Sequence, residues 1–334
     1  MMKIPIVALC GFLGSGKTTL LRRWKRDEAL KDAAYIVHDL SELGFDAELL
    51  SKDEKTPKAG ILNGRVAALH GTHAINQLHD SLGIALSEIA DLSPTAPMVL
   101  GESTGAARPW PLIKALTQDE RFFLRHFIVT VDALNLHRDF QDGAVLSGGK
   151  SPDPALLLAA NVLAEQIAFA SAIILTKVDT IPEAVIEKQV ANIQKIHPGV
   201  TIGLSAQAGL LLPQLEETPA PDMSKLQETA DRLGLGDRTS VADEVEVTIL
   251  KNPRPFHPQR LHEACQQHLG TGLYRTKGFL WLASRPGHVL LWQQAGSHIS
   301  LELKGQWRAE VVKNLKGSLL PEEIEELQKR LRDR

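Results

Sequence analysis

The chain has 334 residues, 43% of them hydrophobic and 23% charged, with a formal net charge of −3. At roughly 100–200 residues per domain, that length allows two domains with ample cores. The slight negative balance excludes a basic field that would draw the protein to nucleic acid or anionic lipid. The 2 cysteines, Cys10 and Cys265, exclude a disulfide framework and suit a reducing compartment. No apolar run reaches the roughly 20 residues needed to span a bilayer. The opening MMKIPIVALCGF carries one lysine and runs straight into a glycine loop, so it reads as a core strand and not as a secretory signal. A cytoplasmic protein is expected.

In chain order, Ile4–Cys10 is a short apolar strand ending at glycines, and Lys17–Arg26 follows with helical spacing. Tyr35–Val37 is the core of a second strand, ending at His38-Asp39. A polar stretch, Ser51–Lys58, precedes Ala59–Leu62, another strand candidate. Thr72 can cap a helix running to about Ile89, with Ile75, Leu78, Leu82 and Leu86 on one face. Met98–Gly101, Phe127–Val131, Ala172–Leu175 and Thr201–Ser205 are further strands, and Gln141–Pro154, rich in Gly, Ser and Pro, reads as a loop. Apolar runs between helices imply an α/β fold with a mostly parallel sheet covered by helices. Glu216–Ser240 looks like a linker, proline-rich and then polar with a short helix. Beyond it Val245, Val247 and Ile249 alternate with polar residues, Pro258–Leu269 suits a helix, and Gly278–Ala283, Val289–Trp292 and Ile299–Leu303 are strands in close succession. With an amphipathic helix at Leu320–Leu331, this predicts a small α+β C-terminal domain. The expected division is 1–215, a linker 216–240, and 241–334.

Four motifs carry chemistry. GFLGSGKTT at 11–19 fits G-x-x-x-x-G-K-[ST], a P-loop between a strand and a helix. Gly11, Gly14 and Gly16 permit the backbone angles that turn successive N–H groups toward one anion. Lys17 reaches the β- and γ-phosphates, Thr18 ligates Mg²⁺, and the helix N-terminus adds its dipole. Gly11, Gly14, Ser15, Gly16, Lys17, Thr18 and Thr19 form the phosphate-binding set. In Met98-Val99-Leu100-Gly101-Glu102-Ser103-Thr104-Gly105, Glu102 ends an apolar strand where a nucleotidase holds Mg²⁺, usually through water, and Gly105 can offer its N–H to the γ-phosphate.

Thr176-Lys177-Val178-Asp179 follows Ile173–Leu175 and resembles the guanine-reading N-K-x-D, with Thr176 in the Asn position. A buried Asp179 would accept from guanine N1–H and the 2-amino group and be left unpaired by adenine. Lys177 can pack its stem on the base, and Ser205-Ala206 can supply an N–H to guanine O6. Thr, shorter than Asn, should brace the loop less well. A helix-capping Asp is the competing reading. His38–Asp46 follows the second strand, where switch segments lie. Asp39 is the candidate for approaching Mg²⁺ or the attacking water, ahead of Glu42 and Asp46; a solvated acidic loop is the alternative. Lys17, Asp39 and Glu102 are thus the catalytic candidates, and Thr18, Glu102 and Asp39 the candidates around the metal.

Together these motifs resemble the CobW-like family of P-loop GTPases, whose members handle metals or help insert metal cofactors. GFLGSGKTTL, HDLSELGFDAELL, ESTG and TKVD occur in the family's order, and RPFHPQRL (254–261) and YRTKGFLWLAS (274–284) resemble its C-terminal domain. The resemblance implies a slow, Mg²⁺-dependent GTPase that switches between GTP and GDP states and acts on a client protein, such as a metalloenzyme. Related GTPases also pair as nucleotide-dependent homodimers. One departure stands out. The family typically carries Cys-x-Cys-Cys after an Asn-Gly pair, and thiolates there suit zinc. Here the segment reads Asn63-Gly64-Arg65-Val66-Ala67-Ala68, and neither a guanidinium nor a methyl group ligates a metal. A Zn²⁺ or Co²⁺ site would need His38, His70, His73 or His79, with His70 and His73 sharing a helical face if the helix begins early; polar surface histidines are the simpler reading. His257 and His262 read as structural, and Trp281, Trp292 and Trp307 as core or interface anchors. The competing functions are a metallochaperone with a non-cysteine site, a nucleotide-gated binding protein, and an ATP-dependent small-molecule kinase.

Overall fold

The structure, a computed structural model, describes residues 3–39, 66–70, 75–148, 154–206, 218–235, 248, 250–268, 273, 275–295, 298–307 and 310. The chain divides into two compact units, Met1–Thr248 and Ile249–Arg334.

Apolar runs set the frame of the first unit. β1 (Ile4–Gly11) is buried along nearly its whole length, as a strand covered on both faces must be. Its neighbours are β4 (Val99–Glu102) on one side and β5 (Phe122–Asp132) on the other. With β2 (Ala34–Asp39), β3 (Val66–His70), β6 (Ala172–Thr176) and β7 (Thr201–Ser205), they form a seven-stranded sheet in the order β3-β2-β4-β1-β5-β6-β7. Every pairing in it is parallel. The carboxyl ends therefore share one edge of the sheet, where ligands of open α/β sheets bind.

Helices cover this sheet for legible reasons. α1 (Lys17–Lys25) buries Leu20, Leu21 and Trp24 on one stripe, and its last turn carries Arg22, Arg23 and Lys25, which complement the C-terminal end of the helix dipole. Those three apolar side chains pack with Val7, Leu9, Val37 and Leu100 of the strands. Truncating Trp24 to Ala would cost about 3–5 kcal/mol. α2 (Ile75–Leu92) buries Leu82 and Leu86 of the face expected from spacing, together with Ile89; the side chains of Ile75 and Leu78 lie outside what is described. α3 (Pro109–Leu116) begins with Pro at its first position, where a missing N–H costs nothing. α4 (Ala133–Arg138) is capped by Asp132, whose carboxylate accepts from the N–H groups of Leu134 and Asn135. α5 (Pro154–Phe169), α6 (Glu183–Ile196) and α7 (Met223–Arg232) complete the described helices of the unit.

Two expectations need correcting, and a third falls outside the described residues. The strand beside β2 is Val66–His70; the segment Ala59–Leu62 lies outside the described residues. His70 therefore sits on a strand paired with Asp39, and α2 begins only at Ile75, so His70 does not share a helical face with His73, which is itself outside the described residues. The Gln141–Pro154 loop contains two single 3-10 turns, Gln141–Gly143 and Val145–Ser147, with Gln141 and Asp142 in the left-handed region.

The second unit has α8 (Pro258–His268) and an antiparallel sheet of β8 (Arg275–Leu282), β9 (Arg285–Ala295) and β10 (His298–Gln306), in the order β10-β9-β8. Trp281 and Trp307 meet edge to face at 6.3 Å, and Trp292 Nε1 donates to Thr276 Oγ1 at 2.6 Å. These contacts fit their reading as anchors. The segment Leu320–Leu331 lies outside the described residues.

Candidate nucleotide site

The site grows from the turn between β1 and α1. Gly11, Gly14 and Gly16 have φ of 138°, 77° and 92°, a region side chains disfavour. Gly11 is fixed by space as well: a Cβ there would sit 2.3 Å from the Thr130 carbonyl. Gly16 caps α1, and Lys17 folds back so that its Nζ donates to the carbonyls of Gly11 (2.7 Å) and Phe12 (3.1 Å). The ammonium thus lies over the mouth of the loop. Thr19 is exposed on the first turn of α1.

Neighbouring strands hold this loop from three directions. On the β4 side, Gly105 lies against Leu13 so closely that a Cβ would come within 2.6 Å of the Leu13 nitrogen. On the β5 side, Ser15 Oγ and Thr130 Oγ1 share a buried hydrogen bond of 2.6 Å, and Thr130 also donates to the Cys10 carbonyl. On the β6 side, Thr176 Oγ1 donates to the Ser15 carbonyl at 2.9 Å, with Val131 O at 3.2 Å. Thr in the Asn position therefore does reach the phosphate loop. Beneath the loop, burial pushes the Cys10 thiol up against a smaller opposing effect of its hydrogen bond with Ser103; it is a packed hydrophobe there and not a nucleophile.

The acidic strand end comes to the same place. Leu9 of β1 and Val37 of β2 flank Glu102 in register, and Thr18 Oγ1 donates to Glu102 Oε1 at 2.6 Å. Asp39 ends β2 two residues beyond Val37, at this same sheet edge; the side chains of His38 and Asp39, and Glu42 and Asp46 altogether, lie outside what is described.

At the other end of the loop, Asp132 and Thr176 are register partners, as are Thr176 and Ser205. Lys177 takes a left-handed φ of 58° and its ammonium pairs with Asp132. That contact anchors the head of Lys177 and leaves its stem as the part available to a base. Asp179 is exposed in the single turn Val178–Thr180. This corrects the expectation of a buried carboxylate: discrimination against adenine at Asp179 would rest on the enclosure a bound base itself supplies. Ser205 is buried and, among the described residues, its hydroxyl has no hydrogen-bond partner, while Ala206 beside it is exposed.

Sequence reasoning missed Thr130, Asp132, Glu165 and Gln166. Thr130 is a lone hydroxyl in an apolar strand and Asp132 directly follows that strand, so both were open to notice. Among the described residues, no three His, Cys, Asp or Glu side chains converge as a metal-holding group.

A strand, a glycine loop clamped by three neighbouring strands and an acidic strand end against its Thr define a P-loop α/β nucleotide-binding domain. Residues 5–203 match the CobW/HypB/UreG nucleotide-binding domain and residues 245–331 match the cobalamin synthesis protein CobW C-terminal domain. The chain belongs to this family and is a P-loop GTPase of CobW type. It is 26% identical over 331 residues to zinc-regulated GTPase metalloprotein activator 1 of Dictyostelium discoideum, covering 92% of this chain and 69% of that one. It is 27% identical over 302 residues to the zinc chaperone YjiA of Escherichia coli, covering 87% and 86%, and 24% identical over 346 residues to the zinc chaperone CobW of Pseudomonas aeruginosa, covering 97% and 89%.

Proposed function

We propose that the chain binds GTP with Mg²⁺, hydrolyses it slowly, and uses the cycle to act on a client protein. The observation that carries this reading is the convergence of Thr18, Glu102 and Thr176 on one loop: the first two meet at 2.6 Å, and the third braces Ser15 from the strand that leads into Lys177 and Asp179.

The donor set fits Mg²⁺, because a hydroxyl and a carboxylate are hard oxygens at the loop that would take the phosphates. In this reading Thr18 would ligate the ion directly and Glu102 would hold it through water, with Asp39, at the end of β2, as a further candidate. Bound there, Mg²⁺ would neutralise charge on the β- and γ-phosphate oxygens. The loop amides of Gly11–Thr18 and the Lys17 ammonium hold the triphosphate and stabilise charge as a water attacks the γ-phosphorus and the bond to the bridging oxygen breaks, releasing GDP and phosphate. Lys177 and Asp179 take the guanine, with Ser205-Ala206 at its O6.

The relatives named zinc chaperones and a zinc-regulated metalloprotein activator support a client that is a metalloenzyme. Arg65, Ala67 and Ala68 stand where family members carry thiols, so we read zinc or cobalt as cargo that this chain holds weakly or leaves to the client. A homodimer across the nucleotide is part of the same proposal, as is a cytoplasmic location without nucleic-acid or membrane partners. Among the described residues no helix is long and apolar enough to cross a membrane.

The test is hydrolysis by the purified chain with GTP and with ATP, each with and without zinc and cobalt, alongside Lys17→Ala and the metal content of the protein. GTP hydrolysis that vanishes in Lys17→Ala supports the reading. Equal use of ATP would favour a kinase-like enzyme, and a Lys17→Ala variant with unchanged GTP affinity and turnover would overturn it. Tight, stoichiometric zinc in equilibrium dialysis would establish an intrinsic carrier instead.

A further inference from the structure

α5 is apolar nearly all round, as a buried helix should be. It nevertheless buries two consecutive polar residues, Glu165 and Gln166, the second with no exposure at all. Both point to the chain between Glu102 and α3. Gln166 Nε2 donates to the Ala107 carbonyl at 2.9 Å and lies 3.4 Å from that of Gly105. Glu165 Oε2 accepts from Arg108 Nη1 at 2.6 Å, and Arg108 is the residue that precedes α3. Buried polar groups cost stability unless paired, and a leucine would fill such a position more simply. Among the described residues, the side-chain oxygen of Gln166 has no hydrogen-bond partner. A buried amide placed on those terms calls for a role beyond packing.

Its geometry supplies one. The Ala107 N–H donates to the Thr104 carbonyl at 3.2 Å, closing a turn over Thr104–Ala107. A trans peptide sets C=O and N–H in opposite directions, so tying the Thr104 carbonyl into the turn aims the Gly105 N–H out of it. Gln166 fixes the remaining freedom by holding the carbonyls of Gly105 and Ala107 toward α5. The turn then rests on Leu13 of the phosphate loop, with room for hydrogen alone at Gly105. Three attachments thus hold a turn that a single closing hydrogen bond would leave loose.

We propose that Gln166 is a positioning residue for GTP hydrolysis: its buried amide holds the Thr104–Ala107 turn so that the Gly105 N–H is presented to the γ-phosphoryl group, and the Arg108–Glu165 pair sets the register of that contact. This rests on the GTPase reading of the site. GDP has no γ-phosphate, so the effect belongs to the triphosphate and to turnover, not to nucleotide binding in general.

The test uses the full chain with Gln166→Leu, which keeps the volume and removes the donor, and Glu165→Gln, which keeps a hydrogen bond to Arg108 and removes the charge. Steady-state GTP hydrolysis and the affinities for GDP and a non-hydrolysable GTP analogue are measured for each. For Gln166→Leu, kcat should fall about tenfold or more and the preference for the analogue over GDP should shrink, with GDP affinity held within about twofold. A kcat within about twofold of the parent, or a parallel loss of GDP binding, overturns the proposal. Should Gln166→Leu fail to fold, Glu165→Gln decides: kcat lowered about threefold or more with GDP affinity kept supports it, and any other result overturns it. A parent chain that does not hydrolyse GTP removes the GTPase reading itself, whereas a hydrolysing parent matched by Gln166→Leu removes this inference alone.

Discussion

Thr176 Oγ1 donates to the carbonyl of Ser15 at 2.9 Å although 161 positions separate them in the chain. The contact joins the phosphate end of the site to the strand that leads into Lys177 and Asp179. An uncharged hydrogen bond of this kind contributes about 0.5–1.5 kcal/mol net, with a further penalty for the buried carbonyl left behind. Thr176→Ala should therefore weaken GTP and GDP alike, by about tenfold. It should leave the preference for GTP over ATP intact, because that preference is assigned to Asp179, and Thr176→Ser should restore affinity. Titration with fluorescent guanine and adenine nucleotides checks this; a collapse of the GTP/ATP ratio in Thr176→Ala would place base recognition on the wrong residue.

Gly101 and Gly105 provide a matched pair. Both lie at the end of β4 or just past it, but among the described residues a Cβ at Gly101 meets nothing within 4 Å, while one at Gly105 meets the Leu13 backbone at 2.6 Å. Gly105→Ala must push the turn off the phosphate loop and should lose about 2 kcal/mol or more. Gly101→Ala should be neutral or stabilising by up to about 1 kcal/mol, since it narrows the unfolded ensemble without a clash. Thermal melts of the two variants should move apart, and equal shifts would show that the close approach at Leu13 is unimportant.

The 2.6 Å contact between Thr18 and Glu102 makes a metal-specific prediction. Glu102→Gln keeps an acceptor for the Thr18 hydroxyl but removes the negative charge expected to hold the waters of Mg²⁺. The Mg²⁺ concentration for half-maximal hydrolysis should rise about 10–100-fold, the range for an outer-shell partner. Thr18→Ser should behave as the parent and Thr18→Ala should not. A Glu102→Gln variant with unaltered Mg²⁺ dependence would mean that the carboxylate serves only to hold Thr18.

Much of this site was legible because glycine spacing and strand-end acids are local signals. The P-loop, Glu102 and the TKVD turn announce themselves within a few residues, and six strands of the parallel sheet follow from apolar runs. Val66–His70 escaped because Arg65-Val66-Ala67-Ala68 reads first as a departure from a cysteine motif, and alanines carry little strand preference. Thr130, Glu165 and Gln166 escaped for another reason: each acts on a turn far away in sequence, and only the register of β1 with β5 and the packing of α5 bring them to it. Asp179 shows the limit from the other side, since its type and spacing were plain but its exposure was not.

His126 offers a prediction about stability that is separate from nucleotide. It lies on β5 beside Val7, almost fully buried, and among the described residues its Nδ1 has no hydrogen-bond partner. Burial pushes its pKa down to about 4, and the neighbouring Arg125 charge pushes in the same direction. An unfolded histidine titrates near 6.5, so between these values the unfolded chain binds the extra proton and the folded chain does not. Stability is therefore complete above about pH 6.5 and is lost as the pH falls toward about 4, at up to about 1.4 kcal/mol per pH unit. Between pH 6.5 and 5 this one group should remove about 2 kcal/mol. His126→Leu replaces it with an apolar side chain that has no proton to bind and should flatten that part of the profile, while the acid loss below about pH 4 remains. That remainder includes Asp142. Burial raises its pKa, but the hydrogen bonds from Lys188 and His137 outweigh burial and leave it below the ordinary carboxylate value. Urea denaturation of the parent and His126→Leu at pH 7 and pH 5 measures the difference directly, because titration of every other histidine cancels between the two proteins. A variant whose stability falls from pH 7 to pH 5 as steeply as that of the parent would show that His126 is protonated, and accommodated, inside the folded sheet.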